Sequence, residues 1–147
     1  MIRKAVVADA LALAPRLRQA DRDELYAAGH DDVVGILKES VTTSVEAYAF
    51  EVDGVVETLF GIAKAGFMGV PWLLGSDALF GLRKALCVYP LEYIPRWRGE
   101  YSMLGNLVHV DNARSIRWLK HLGFTIHPPV DHARGRFHPF TMSTTYV

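Results

Sequence analysis

Hydrophobic and polar positions change their period along the chain, and each change predicts an element. The run "IRKAVV" at residues 2–7 suits a short strand, and Asp9 can cap the turn after it. Pro15 fits the first turn of a helix, and Leu13, Leu17, Ala20 and Tyr26 fall along one side of a charged helix over Pro15–Ala28. Gly29 ends it, and Asp31 can cap a second helix carrying Val33, Val34, Leu37 and Val41 at helical spacing. The middle reads differently. "EAYAFEVDGVVETLF" predicts two strands joined at Asp53-Gly54, a pair that tolerates the positive φ of a tight hairpin. "GVPWLL" is a further apolar run, in which Pro71 removes a ladder donor and points to an edge, a bulge or a splayed strand.

"SDALFGLRKALCVY" returns to helical spacing, with Ser76 or Asp77 as cap, Leu79, Leu82, Leu86 and Tyr89 as the apolar stripe, and Pro90 and Pro95 as limits. "MLGNLVHV" is a strand, "NARSIRWLKHL" a helix stopped by Gly123, and "FTIHPPV" and "RFHPFTMSTTYV" are closing strands around a turn with glycine. This order predicts an α/β (α+β) fold: a mixed, mostly antiparallel sheet flanked by helices. It lacks the regular alternation of a doubly wound parallel sheet.

Length and composition narrow the picture. The 147 residues make one domain over 1–147; 50% are hydrophobic and 22% charged, as in a folded globular protein. Lys plus Arg and Asp plus Glu both number 16, which argues against a chain whose main task is gripping nucleic acid. Cys87 stands alone, so no internal disulfide forms and a reducing, cytoplasmic setting is expected. No apolar run approaches the ~20 residues of a membrane span, and Asp9 breaks the opening apolar stretch that could pass for a signal peptide.

The stretch "HVDNARSIRWLKHLGF" (109–124) is the most informative. On a helical wheel Ile116, Trp118, Leu119 and Leu122 gather on one side and Arg114, Arg117, Lys120 and His121 on the other, as in any surface helix packed on a sheet. Asp111 or Asn112 serves as N-cap and Gly123 as the left-handed stop. The order strand, Asn, helix, Gly-Phe, strand resembles the closing motif of the Gcn5-related N-acetyltransferase superfamily, and the element order of the whole chain agrees with that fold. The resemblance implies that "GVPWLL" and "MLGNLVHV" are a splayed parallel pair holding the pantetheine arm of acetyl-CoA, with Asn112 and Ser115 at its side. It also implies that the amides of Gly75, Ser76, Asp77 and Ala78 face the pyrophosphate.

Two features depart from the family pattern. The family's Gln/Arg-x-x-Gly-x-Gly/Ala loop is replaced by "LLGSDALFGL", where Asp77 puts negative charge near a diphosphate. The tyrosine that many members use to protonate the departing thiolate is Leu119 here, and the preceding Trp118 cannot act as an acid. Ser76-Asp77 and the run Asn112, Ile116, Arg117, Trp118, Leu119, Lys120 are similar to the small acetyltransferase-like, internal virion protein A-like proteins of T7-type tailed phages. That narrower resemblance implies a phage accessory or virion-associated protein, located in the host cytoplasm or the virion.

An acyltransferase needs a base. Glu57 could face a central cleft with its pKa raised toward neutrality, or simply point outward from an alternating strand, as could Glu46 and Glu51. His127, Asp131, His132 and His138 match no compact zinc spacing, so no metal is expected, and His109 suits a packed strand position. Arg114, Arg117, Lys120 and His121, with Arg96 and Arg98 elsewhere, suit a solvated surface or a phosphate-binding one. Trp72, Trp97 and Trp118 suit the core or an interface. Two functions follow. The first is an N-acyltransferase joining acetyl-CoA to an amine acceptor. The second is a non-catalytic protein that uses the fold to bind a phage or host protein.

Overall fold

The computed structural model describes residues 1–82, 86 and 88–143. Its strands are β1 (Ile2–Lys4), β2 (Glu46–Val52), β3 (Val55–Ala65), β4 (Met68–Gly75), β5 (Met103–His109), β6 (Thr125–Ile126), β7 (Val130–His132) and β8 (Gly135–Ser143). Its helices are α1 (Val7–Leu13), α2 (Gln19–Ala27), α3 (Val33–Thr43), α4 (Ile94–Glu100) and α5 (Ala113–Leu122). The strands form one sheet in the order β1-β2-β3-β4-β5-β8-β6, with β7 also on β8. Every neighbouring pair is antiparallel except β4 and β5.

That pair decides the architecture. β4 keeps its ladder with β3 along its whole length, from Ala65↔Met68 to Thr58↔Gly75. Toward β5 it pairs only at Met68↔Met103 and Gly69↔Leu104, and then the two strands diverge. Pro71 stands just beyond the last pair and has no N–H to offer. The Asn106 side chain spans the opening instead, donating from Nδ2 to the Pro71 carbonyl at 3.0 Å. Of the three readings open for Pro71, the splayed strand is correct.

Both faces of the sheet are covered. Leu13, Leu17, Leu37, Ala49, Val56 and Leu59 form one apolar cluster beneath α1 and α3. Phe60, Ile62, Tyr89, Trp97, Leu104 and Phe140 anchor the other. In β3 every residue from Val56 to Ile62 is consequently buried, so Glu57 has no solvent side to point toward. The β2–β3 hairpin turns at Asp53 (φ 49°) and Gly54 (φ 78°), as the Asp-Gly pair predicts.

Several helix boundaries differ from expectation. The helix expected over Pro15–Ala28 is a 3-10 turn at Ala14–Arg16, an extended corner at Leu17–Arg18, and then α2. Tertiary pairing overrides local propensity at that corner: Leu17 bridges Ser76, and the Arg18 amide donates to the Gly75 carbonyl at 2.9 Å. Tyr26, placed on the apolar stripe, is 59% exposed; the inward face of α2 carries Asp21 instead. Asp9 lies inside α1, where its carboxylate accepts from the Val6 amide (2.8 Å) and from Arg3. Asp32, not Asp31, caps α3 through the Gly35 amide (2.9 Å), and Asp31 pairs with Arg134. The helix expected after Ser76 opens as a 3-10 turn at Leu79–Gly81; residues 83–85 and Cys87 lie outside the described residues, as do 144–147 of the last strand. Pro90 and Pro95 limit nothing, because each sits in the first turn of a new helical segment where no amide donor is needed. Among the described residues no helix is long and apolar enough to cross a membrane.

Candidate active site

Where β4 and β5 part, side chains replace the missing ladder and leave a cavity of about 350 Å³. This is the range of small-molecule sites, and it lies beyond a strand crossover, where open sheets commonly bind ligands. Pro71–Leu74 and Asn106–Val108 form its walls. Arg18, just before α2, with Asp21 and Glu24 of α2 close one side, and Asn112, at the start of α5, with Ser115, Trp118 and Leu119 of α5 another.

The end of β5 supplies the corner that the sequence singled out. Asn112 occupies the N-cap position of α5, but its side chain caps nothing. It is 7% exposed and donates from Nδ2 to Glu24 Oε2 at 2.6 Å. Burial pushes the Glu24 carboxyl up to about 7; the bond from Asn112 opposes the rise, and the nearby Asp21 adds to it. Ser115 Oγ accepts from Arg18 at 2.9 Å, and Arg18 pairs with Asp21 at 2.9 Å. Arg18 and Arg114 both lie over the Phe80 ring, at 4.9 and 4.3 Å. Leu119 is buried and gives the cavity no proton donor, and Tyr89, against the Trp118 ring, is held protonated by burial. Gly123 stops α5 at φ 103°, as expected.

The end of β4 is tied up internally. The Gly75 amide donates to Asp21 Oδ2 at 3.0 Å and the Ser76 amide to the Glu57 carbonyl at 2.9 Å. The Ala78 amide turns back to Ser76 Oγ (3.2 Å) and the Leu79 amide to the Ser76 carbonyl (3.0 Å). Gly75 is required by close approach, since a Cβ there would sit 2.9 Å from Leu79 Cβ. Asp77 is exposed. Glu57 receives the Ser76 hydroxyl and pairs with Arg16 at 2.7 Å. Burial would raise its pKa, but these two partners outweigh it and hold the carboxyl below its ordinary value, the opposite of the rise that the cleft-facing reading of Glu57 called for.

Thus Asn112 and Ser115 line the cavity, whereas Glu57 and the turn from Gly75 to Ala78 stand beside it. Arg18, Asp21, Glu24 and Phe80 were not singled out by the sequence. The available signal was Asp21 and Glu24, one turn apart on α2, with Arg18 one turn before.

The remaining candidates find structural partners. His127 bonds Thr141 Oγ1 (2.7 Å), His138 bonds the His127 carbonyl (2.9 Å) and Asp131 pairs with Arg136 (3.3 Å). His109 and His132 pack edge-on against Phe137. No group of three His, Cys, Asp or Glu among the described residues is arranged to hold a metal. Arg96 pairs with Glu46, Trp97 is fully buried and Trp72 donates to Ser44 Oγ at 2.8 Å.

Solved structures match the chain along its whole length. YncA from Salmonella typhimurium, solved with acetyl-CoA, is 17% identical over 100% of this chain and 95% of its own, with a TM-score of 0.68. A ribosomal-protein-alanine N-acetyltransferase from Brucella melitensis is 15% identical over 97% and 99%, with a TM-score of 0.72. A GCN5-related N-acetyltransferase from Kribbella flavida is 17% identical over 97% and 96%, with a TM-score of 0.67. The chain has the Gcn5-related N-acetyltransferase fold. No protein-family model and no curated relative matches it. In this chain the β4–β5 splay opens beside the Asn112 corner, and in the turn after β4 the amides of Gly75, Ser76, Ala78 and Leu79 have acceptors of their own.

Proposed function

We propose that this chain is an N-acyltransferase that moves an acyl group from acyl-CoA, acetyl-CoA in the first instance, to a primary amine. One observation carries the proposal: the β4–β5 splay opens into a cavity that both strands, α2 and α5 line. A pantetheine arm fits such a slot, with Asn112 and Ser115 at its edge. The turn Gly75–Ala78 stands at the diphosphate end. The amides of Gly75, Ser76 and Ala78 are engaged, so Arg18 and Arg114 beside Phe80 supply the positive charge there. Holding amine and thioester together supplies much of the acceleration by proximity.

Calorimetry and thermal unfolding with acetyl-CoA test this. At 100 times its dissociation constant a ligand stabilises the native state by ~2.7 kcal/mol. A rise in melting temperature is expected, reduced in Asn112→Ala; no shift at millimolar acetyl-CoA overturns the reading.

The engaged amides of Gly75, Ser76 and Ala78 after β4 favour a second reading: a non-catalytic protein, of the phage accessory or virion-associated kind, that keeps the fold as a binding surface for another protein. It predicts no response to acetyl-CoA and co-purification with a phage or host protein.

A further inference from the structure

We infer that Glu24 is the general base of this cleft, with Asn112 as the residue that positions its carboxylate. The inference rests on the acyltransferase reading and names the group that reading still lacks. Glu57 cannot serve, since Arg16 and Ser76 occupy its carboxylate and it does not line the cavity. Asp21 lines the cavity, but Oδ1 is bound to Arg18 and Oδ2 to the Gly75 amide. Glu24 is half-buried and lines the cavity, and Asn112 fixes Oε2 at 2.6 Å. It is also the cavity carboxylate without a cationic ion-pair partner among the described residues.

Several groups set its charge. Asp21 disfavours ionisation; Arg18, Asn112 and the His109 backbone amide favour it, and His30 and His132 line the same cavity. Near neutral pH the carboxylate can therefore both accept and release a proton.

The step balances as follows. Glu24 takes one proton from R–NH3⁺, giving neutral R–NH2 and a neutral carboxyl. The amine lone pair forms the C–N bond to the thioester carbonyl. The tetrahedral intermediate collapses as the C–S bond breaks with its electron pair on sulfur. A second proton leaves nitrogen and, through water, reaches the thiolate, since Leu119 can donate none. Glu24 then releases its proton to solvent. Acyl-CoA and R–NH3⁺ thus give the N-acyl amine, CoA thiol and one proton.

The test measures acetyl-CoA binding by calorimetry and acetyl transfer to methylamine across pH. Methylamine is small enough to enter and, as an ammonium ion, needs deprotonation. In the wild-type protein kcat/KM is expected to rise with an inflection at about 7 beyond the slope set by methylamine itself. Glu24→Gln should retain acetyl-CoA binding, lose the inflection and fall by about 100-fold. Glu24→Asp should restore an inflection at reduced rate. Asn112→Ala should move the inflection upward, because the bond it removes favours the anion; a purely structural role would not shift a pH profile. A Glu24→Gln profile like that of the wild type, or no transfer by protein that binds acetyl-CoA, overturns the inference. If Glu24→Gln fails to fold, the Asn112→Ala shift decides. Absence of acetyl-CoA binding overturns the underlying acyltransferase reading instead.

Discussion

Glu57, buried, and Glu24, half-buried, are acids at the edge of one cleft, and their surroundings treat them oppositely. Glu57, behind the end of β4, has a guanidinium on one oxygen and a hydroxyl on the other, and its pKa falls. Glu24, beside the end of β5, has an amide donor and an acidic neighbour, and its pKa rises to about 7. Burial costs both; what differs is whether a cation answers it. The β4 end spends its polar groups on holding a turn, and the β5 end leaves a proton site facing a cavity.

The largest effect should come from relieving Glu24. Its folded pKa lies above its ordinary value, so the stability it contributes is complete below about 4.5 and is lost as pH rises through about 7. Glu24→Gln never carries the charge. Urea unfolding should show variant and wild type nearly equal at pH 4.5 and the variant more stable at pH 8, by at most about 3 kcal/mol. Equal stability at both pH values would show that Glu24 is not held near neutrality and would erase the contrast with Glu57.

Ser76→Ala attacks the other side. The change leaves the buried Glu57 with one partner fewer and the Ala78 amide without its acceptor, at a cost of about 1–3 kcal/mol. The sign with pH is reversed. Glu57 has a lowered pKa, so its contribution is present above its ordinary value of 4.5 and fades as pH falls through the folded value. The Ser76→Ala deficit should be largest at neutral pH and shrink on acidification, read from the same urea curves. A deficit independent of pH would assign the loss to the turn rather than to Glu57.

Sequence patterning carried the fold further than the site. Period, Asp53-Gly54 and Gly123 depend on neighbours in the chain, and they survive in the structure. Pro71 alone left an edge, a bulge or a splay open, because a missing amide disturbs a ladder in any of the three; the resemblance selected the splay that the structure shows. The Asn112 corner was legible through its resemblance to a known motif. Glu24 was not legible, because its character arises from Asn112, 88 residues away, and from Asp21 buried against Gly75. The Leu17–Arg18 break in the expected helix has the same origin, a bridge to Ser76 across the fold. Periodicity weighed Tyr26 as apolar and α2 as an ordinary charged helix, whereas the structure turns Asp21 inward and Tyr26 out, under Arg134.

The smallest effect tests whether the β4 end retains any role toward a diphosphate. Arg114 is exposed and lies 4.3 Å over the Phe80 ring, a contact worth ~0.5–1 kcal/mol at an exposed site. Arg114→Ala should therefore change unfolding stability by no more than that. Its effect on acetyl-CoA should be larger in proportion and should depend on salt, because a guanidinium facing a phosphate in water is screened over roughly 10 Å at 0.1 M ionic strength. Calorimetric titrations at low and high salt separate the terms: a loss of affinity that shrinks as salt is added assigns Arg114 to the phosphate end. A loss unaffected by salt assigns it to support of Phe80. The first result would mean that side-chain charge replaces the engaged amides of Gly75, Ser76 and Ala78; the second would leave the β4 end a purely structural turn.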